Sequence, residues 1–419
     1  MHAQSFDVVI AGGGLAGLSR AVAFGQAGLA TALVDRETAT ASLAAPFDGR
    51  SSAIARGSQQ VLQGLGIWPL LDGAAQPILD IRVSDGRAGA PPAPFCLHYA
   101  EAALGRAPMG PIAENRRLRR ALYRRLEALP AVALLAPAAV ASVGHDAVGT
   151  LARLADGRQL RARLVVAADG KRSGLRQAAG IKVTQWSCRR VGLVATRAHG
   201  RPHGGGAHEH FLPAGPFAVL PMVDGPPNEQ GGGTHRSSLV WTESPDLAPA
   251  LLALDDAAFG LAMERRFGLS LGRLRPVGGR WSYPLELMLA ERFVAPRLAL
   301  LGDAAHAIHP IAGQGFNLGL RDVAALAECV VDAARLGLDP GNAEALERYQ
   351  RWRRFDTLLL AGVTDTLTRL FSNDIGPLRL ARAPGMAAVN RVKPLKRFFM
   401  QHAMGLVGEL PRLVRGEAL

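Results

Sequence analysis

The sequence predicts an α/β fold in which a Rossmann-like domain is interleaved with an antiparallel-sheet domain and followed by a C-terminal helical region. Three observations carry that expectation. An apolar strand at the amino terminus, Phe6 to Ala11, runs into Gly12, Gly14 and Gly17. A second strand, Leu164 to Ala168, ends at Asp169-Gly170, and a third, from Leu298, ends at Gly302-Asp303. Between these segments lie stretches that alternate or run apolar like strands of an antiparallel sheet, notably Val191–Thr196, Phe217–Leu220 and Leu239–Thr242.

The first element is a strand–turn–helix unit. Glycine at 12 permits a tight turn, glycine at 14 lets backbone N–H groups approach a pyrophosphate, and glycine at 17 lets helix and strand pack closely. The helix that follows presents its N-terminus to negative phosphates. The next strand, Thr31 to Val34, ends at Asp35, at the spacing expected of a carboxylate that accepts a hydrogen bond from a ribose hydroxyl. The second element, Asp169 to Ser173 with Arg176 beyond it, reads equally as a strand-to-turn junction when taken alone. The third is the most specific. Asp303 at the carboxyl end of its strand is placed to accept hydrogen bonds from a polyhydroxyl chain such as ribityl. Gly313 and Gly315 then open a helix expected from about Asn317 to Leu336, whose free N–H groups face the same crevice and suit a reduced flavin. One such loop is weak evidence, but the three together describe FAD.

These motifs resemble, in order, those of the FAD-dependent aromatic hydroxylases with the p-hydroxybenzoate hydroxylase fold. The resemblance narrows to the ubiquinone-biosynthesis hydroxylases through Phe47-Asp-Gly-Arg50-Ser-Ser-Ala53, Phe211 to Pro221 and Val240-Trp241-Thr242. It extends through the carboxyl-terminal tract Leu370 to Asn373, Lys393 to Met400, His402 to Leu406 and Leu410 to Leu413. It implies that Gly12, Gly14, Gly17 and Asp35 bind the ADP half of FAD, that Arg50 lies near the flavin phosphates, and that Asp169 belongs to the middle motif. Gly302 and Asp303 then hold the ribityl chain, and Pro310, Gly313, Gly315 and Asn317 form the loop beside the isoalloxazine ring. Many flavin hydroxylases carry arginine or glutamine where this chain has Asn115, and Arg116 is the neighbouring candidate for that contact.

The reaction implied by the resemblance is the cofactor's own. NAD(P)H reduces FAD, oxygen adds at flavin C4a, and one oxygen atom passes to an electron-rich phenol ring. The ring needs apolar walls, for which Phe211, Phe217, Leu220 and Trp241 are candidates; His309 beside Pro310 is a candidate proton donor near the flavin. No second Rossmann motif marks a nicotinamide site, which leaves NADH and NADPH open. Three rivals share parts of this reading: a hydroxylase of another aromatic pathway, a flavin reductase of prenyl chains, and a non-catalytic flavoprotein scaffold in a quinone-biosynthesis assembly.

The expected FAD-binding domain comprises residues 1–75, 100–180 and 283–342, the substrate domain residues 76–99 and 181–282, and the helical region residues 343–419. Within the last, Trp352, Phe355 and Leu358–Leu360 are the expected core face of a helix over 343–372. At 419 residues the chain is long enough to bury a large core. Three isolated cysteines argue for a reducing compartment and against zinc or a disulfide framework. The first strand begins almost at Met1 without the features of a secretory signal, so the expected compartment is cytoplasmic. No apolar run is long enough to span a bilayer.

A net charge of +13 and a pI near 10.7 invite an anionic partner. Residues 377–419 carry eight basic and two acidic residues interleaved with Phe398, Phe399, Met400, Met404, Leu406 and Val407, which points to the surface of an anionic inner membrane rather than nucleic acid. There a prenylated phenol would be collected, with O2 as co-substrate and other quinone-biosynthesis proteins as neighbours. The loose cluster His199, His203, His208, His210 and His235 lacks a ligand spacing, so no metal is expected.

Overall fold

The computed structural model describes residues 3–44, 49–89, 97–100, 109–146, 149–225, 235–308, 313–373, 375, 377, 382, 385, 388–392, 394, 396, 400–401 and 404–419. Two large sheets organise it. In the first, the strands run in the order Val294–Ala295, Leu298–Leu300, Gln159–Ala167, Gln4–Ala11, Thr31–Val34 and Val132–Leu135. The pairings from Leu298–Leu300 to Val132–Leu135 are all parallel. Their central residues, Val8 to Ile10, Leu33 and Leu164 to Ala167, are fully buried because helices cover the sheet. The helices Leu15–Gln26, Asn115–Glu127 and Gln314–Arg335 supply that cover, and a hairpin of Val140–Asp146 and Gly149–Leu154 extends the sheet off Gln159–Ala167.

The second sheet has eight strands in the order His306–Ala307, Leu274–Ala290, Val183–His199, His235–Glu243, Gly215–Met222, Gly206–Leu212, Asp80–Asp85 and Leu97–Ala100. All pairings are antiparallel except that of Gly206–Leu212 with Asp80–Asp85. This sheet runs on to Ala290 and takes in His306–Ala307, beyond the boundary expected near residue 282, because Leu274–Ala290 stays paired with Val183–His199 along its length. A small sheet of Ser51–Ala53, Pro111–Glu114 and Ala75–Pro77 is the third.

Two sequence expectations for the helical region are corrected. The helix Ala343–Phe371 buries Leu346, Tyr349, Arg353, Thr357, Ala361 and Thr364, whereas Phe355 is 72% exposed and Leu358, Leu359, Val363 and Leu370 also face outward. Of the expected core face, Phe355, Leu358 and Leu359 are therefore on the surface, Trp352 packs half-buried against the core and Leu360 is half-buried, and the inward face mixes Leu346 and Ala361 with polar groups. Nor is the terminal tract uniformly available to a membrane. Leu413 and Val414 sit in the core of the first sheet's domain, Arg412 pairs with Glu328 and Asp332, and Arg382 is buried beside Asp85 at 3.5 Å. Lys393, Arg397, Phe398 and Phe399 lie outside the described residues.

Candidate active site

Four neighbouring parallel strands end side by side, and every acid that the sequence singles out follows one of them. Asp303 follows Leu298–Leu300, Asp169 follows Gln159–Ala167, Gly12 follows Gln4–Ala11, and Asp35 follows Thr31–Val34. Carboxyl ends of parallel strands are where open α/β sheets bind nucleotides, so segments far apart in sequence share one crevice.

The glycine turn is shaped by close approach. Gly12 has φ of +109°, and a Cβ there would collide with the Ala168 carbonyl; one at Gly17 would overlap the Gly12 carbonyl. At Gly14, by contrast, nothing lies within 4 Å of the position a Cβ would take, which leaves the helix N-terminus open in front of its N–H groups. Asp35 accepts the Gly13 N–H through one oxygen and the Glu37 N–H, at 2.7 Å, through the other. It thereby braces the loop as well as lying beside it.

Asp169 supplies a second sign that the crevice is built to hold a ligand. Its Oδ2 accepts only a long 3.4 Å bond from the Leu175 N–H, and its Oδ1 is buried with no partner. A buried carboxylate oxygen without a donor is costly, and a hydroxyl of a bound dinucleotide would satisfy it. Arg176 holds the turn beneath: its guanidinium donates to the Ala304 carbonyl at 2.9 Å and the Lys171 carbonyl at 3.0 Å, tying the second motif to the third.

Asp303 lies in the turn Gly302–Ala304 and keeps its carboxyl open to water in the crevice while protein surrounds it elsewhere. That enclosure raises its pKa above the ordinary value, against the pull of His306, Lys171 and Arg50. Arg50 is thus near Asp303, and its guanidinium also lies 5.9 Å from the Tyr283 ring centroid. Gly313, at φ of +62°, caps the helix Gln314–Arg335, and beside Gly315 the space is again empty. Asn317 is used structurally at both ends of its amide: it receives the Ala55 N–H at 2.8 Å and donates to the Ala53 carbonyl at 2.9 Å. This clasp fixes Ser51–Ala53 against the helix N-terminus. His309 and Pro310 lie outside the described residues.

Asn115, rather than Arg116, is bonded to that strand, accepting from Ser52 Oγ at 2.7 Å. Arg116 instead donates to Glu114, which also draws Arg236 to 3.4 Å.

Of the four candidate pocket walls, two are misplaced. Trp241 and Phe217 pair across neighbouring strands and face the helix Asp256–Phe267, where Trp241 stacks on Phe259 at 5.8 Å and both are fully buried. They belong to the buried core between the sheet and that helix. Leu220 is on the opposite face of the sheet, packed with Ala53 and Ile112, and Phe211 packs on Phe371 with ring centroids 4.6 Å apart.

Sequence reasoning missed a buried ionic network behind Asp303. Asp322 accepts from His306 Nε2 at 2.6 Å, from the Gly302 N–H at 3.1 Å and from Arg353 Nε at 2.8 Å; Arg353 in turn meets Asp356. Burial alone would raise the Asp322 pKa, but His306 and Arg353 outweigh it and hold the carboxylate below its usual range. The signal in sequence was Asp322 itself, an acid among the apolar residues Leu318, Leu320, Val323 and Ala324 of its helix. Four of the five clustered histidines, His199, His203, His210 and His235, make hydrogen bonds, and His208 packs edge-on against the Phe267 ring at 5.2 Å. His199 reaches the Arg201 carbonyl and Ser237, each at 2.8 Å, and His203 reaches the Met222 carbonyl at 3.0 Å. Among the described residues no group of three or more His, Cys, Asp or Glu could hold a metal ion.

Known proteins agree with this geometry. Residues 5–355 match the family model described as FAD binding domain. Ubiquinone hydroxylase UbiL of Rhodospirillum rubrum is 53% identical over 99% of this chain and 93% of its own length. The 3-demethoxyubiquinol 3-hydroxylase of Escherichia coli is 34% identical over 97% of this chain and all of its own. In structure, p-nitrophenol 4-monooxygenase PnpA of Pseudomonas putida superposes with a TM-score of 0.77 at 20% identity, covering 97% of this chain and 99% of that one, which establishes the fold. The row of strand ends, the open glycine turn and these relatives together place the chain in the ubiquinone-biosynthesis family of FAD-dependent aromatic monooxygenases, with the p-hydroxybenzoate hydroxylase fold.

Proposed function

We propose that this protein hydroxylates the aromatic ring of a polyprenylated phenol on the way to ubiquinone, taking electrons from NAD(P)H and oxygen from O2. The observation that carries the reading is the crevice itself, where Gly12, Gly14, Asp35, Asp169 and Asp303 converge from four adjacent strands opposite the N-terminus of Gln314–Arg335. The nearness in sequence of ubiquinone hydroxylases supports the substrate class. FAD, when bound, would relay the two electrons of NAD(P)H and activate O2. The protein's share is positional. Gly14 and the N-terminus of Leu15–Gln26 would receive the pyrophosphate, Asp169 and Asp303 would accept hydroxyls, and Arg50 would balance negative charge. Deleting the gene and identifying by mass spectrometry the quinone precursor that accumulates tests this; an unchanged quinone pool would exclude it.

The substrate's prenyl chain favours a membrane surface as its source. No helix among the described residues is long and apolar enough to cross a bilayer. The helix Ala343–Phe371 instead lays Phe355, Leu359, Val363 and Leu370 along its outer side, with Arg351, Arg354 and Arg369 also exposed on that helix. Such a stripe suits peripheral attachment to anionic lipid on the cytoplasmic side of the inner membrane, each basic residue contributing about 1 kcal/mol. We expect wild type to float with phosphatidylglycerol liposomes, and Phe355→Glu with Leu359→Glu to remove flotation without lowering thermal stability. Failure of wild type to float, or unchanged flotation of the double variant, would exclude this face.

A further inference from the structure

Among the described residues, the second sheet carries an acid with no hydrogen-bond or ion-pair partner. Glu209 lies on Gly206–Leu212, opposite Ala218 on one neighbouring strand and Val83 on the other. Alternation along the strand puts it on the same face as Ala207 and Phe211. Ala207 packs with Leu220, Ile112 and Ala53, and Ala53 lies against Gly313, where a Cβ would come within 3.4 Å of its own. Phe211, on the other side of Glu209, packs with Val83 and Phe371. Glu209 is therefore set midway along the face that looks toward the helix N-terminus of the flavin crevice, between apolar neighbours. The Trp241 and Phe217 layer is on the reverse side.

Among the described residues its carboxylate has no hydrogen-bond or ion-pair partner. Burial pushes its pKa up to about 7, although part of the residue remains open to water. The charged and titratable groups on the surrounding elements are engaged elsewhere. On its own face, Asp85 meets Arg382 at 3.5 Å, and Lys396 sits over Tyr99 at 5.5 Å. Arg50 and Asp303 face each other's field across the crevice. His210 is on the reverse face, bonded to Ser84 at 2.8 Å.

We propose that Glu209 is the substrate-binding base of this enzyme: its carboxylate accepts the hydrogen bond of the phenolic hydroxyl and takes its proton as the ring is oxygenated. The inference rests on the hydroxylase reading. The phenol O–H bond breaks and its proton passes to Glu209, so the oxygen lone pair is released into the ring and the attacked carbon becomes nucleophilic. That carbon gains one atom of O2 and loses its own proton on rearomatisation, the other atom leaving as water with the two electrons of NAD(P)H. The proton on Glu209 returns to the product's oxygen or to solvent. An acceptor with a pKa near neutrality suits this exchange, and an acid that must be ionised gives a rate that rises as pH climbs through about 7.

The test uses the FAD-loaded protein with 2-geranylphenol and its O-methyl ether as probes, comparing wild type with Glu209→Gln and Glu209→Leu. Flavin fluorescence reports binding. Wild type should bind the phenol at least about tenfold more tightly than the ether, and Glu209→Leu should bind both alike, since only a hydrogen-bonding site rejects the analogue lacking the hydroxyl. Glu209→Gln keeps an acceptor but not a base. Its affinity should stay within about threefold of wild type while turnover falls roughly 100-fold and the rise in rate through pH 7 disappears. Equal affinity of wild type for phenol and ether, or a Glu209→Gln enzyme with wild-type rate and pH profile, would overturn the assignment. A wild type that discriminates through Glu209 but hydroxylates no prenylated phenol would instead count against the hydroxylase reading alone.

Discussion

Gly14→Val should give a protein that folds normally and carries no FAD. At this position the backbone has φ of −66° and ψ of 174°, which valine adopts without strain, and no atom lies within 4 Å of the new Cβ. Nothing in the fold objects to the side chain. The space it fills is the one in front of the N-terminus of Leu15–Gln26, where two N–H groups would meet the pyrophosphate. Losing two charge-assisted hydrogen bonds costs about 3–6 kcal/mol, or roughly a 10²- to 10⁴-fold fall in affinity. Fluorescence titration of the apoprotein with FAD, beside thermal melts of both apoproteins, measures it. Normal FAD affinity in the variant would refute the placement of the phosphates. Gly17→Val is the control that should damage the fold, since its Cβ would overlap the Gly12 carbonyl.

The second large effect is expected at Asp322. Its carboxylate is fully buried with His306, Arg353 and the Gly302 N–H gathered on it. Asp322→Asn leaves the Arg353 guanidinium buried without its full counter-charge, which costs about 3–5 kcal/mol of stability in denaturant unfolding. The same change loosens Gly302, so FAD occupancy should fall with it. Asp322 also sets a pH dependence. A carboxylate whose folded pKa is held below its ordinary 3.8 adds stability above that pH, and loses the contribution as pH falls through the lowered folded value. The wild type should therefore show an acid loss of stability that the variant lacks. A variant within about 0.5 kcal/mol of wild type would show that the network is replaceable.

The flavin crevice was legible in sequence because its demands are local. Gly17 answers to a backbone collision with Gly12 in the same turn, and Asp35, Asp169 and Asp303 each stand just past a readable apolar strand. The network of Asp322, His306 and Arg353 was not, since three different elements each contribute one residue to it and no spacing announces the meeting. Trp241 and Phe217 show a different limit. Alternation identifies which residues share a face, but both faces of that sheet are covered, and the period does not say which one looks at the flavin. The helix Ala343–Phe371 reversed the usual inference from apolarity. Phe355 and Leu359 look like core residues by pattern, yet the buried side is held by Tyr349, Arg353 and Thr357, with Tyr349 Oη donating to the Leu300 carbonyl at 2.8 Å. Glu209 gave no signal in sequence because a lone acid in a strand of alternating polarity reads as a solvated side chain.

Purified protein loaded with FAD, supplied with NAD(P)H, a short-chain prenylated phenol and 18O2, measures the central claim most directly. The account predicts a product heavier by one 18O atom on the ring, formed by wild type and not by Gly14→Val. A product reduced in its prenyl chain and free of 18O, or NAD(P)H oxidation that yields only hydrogen peroxide at every phenol tried, would contradict it.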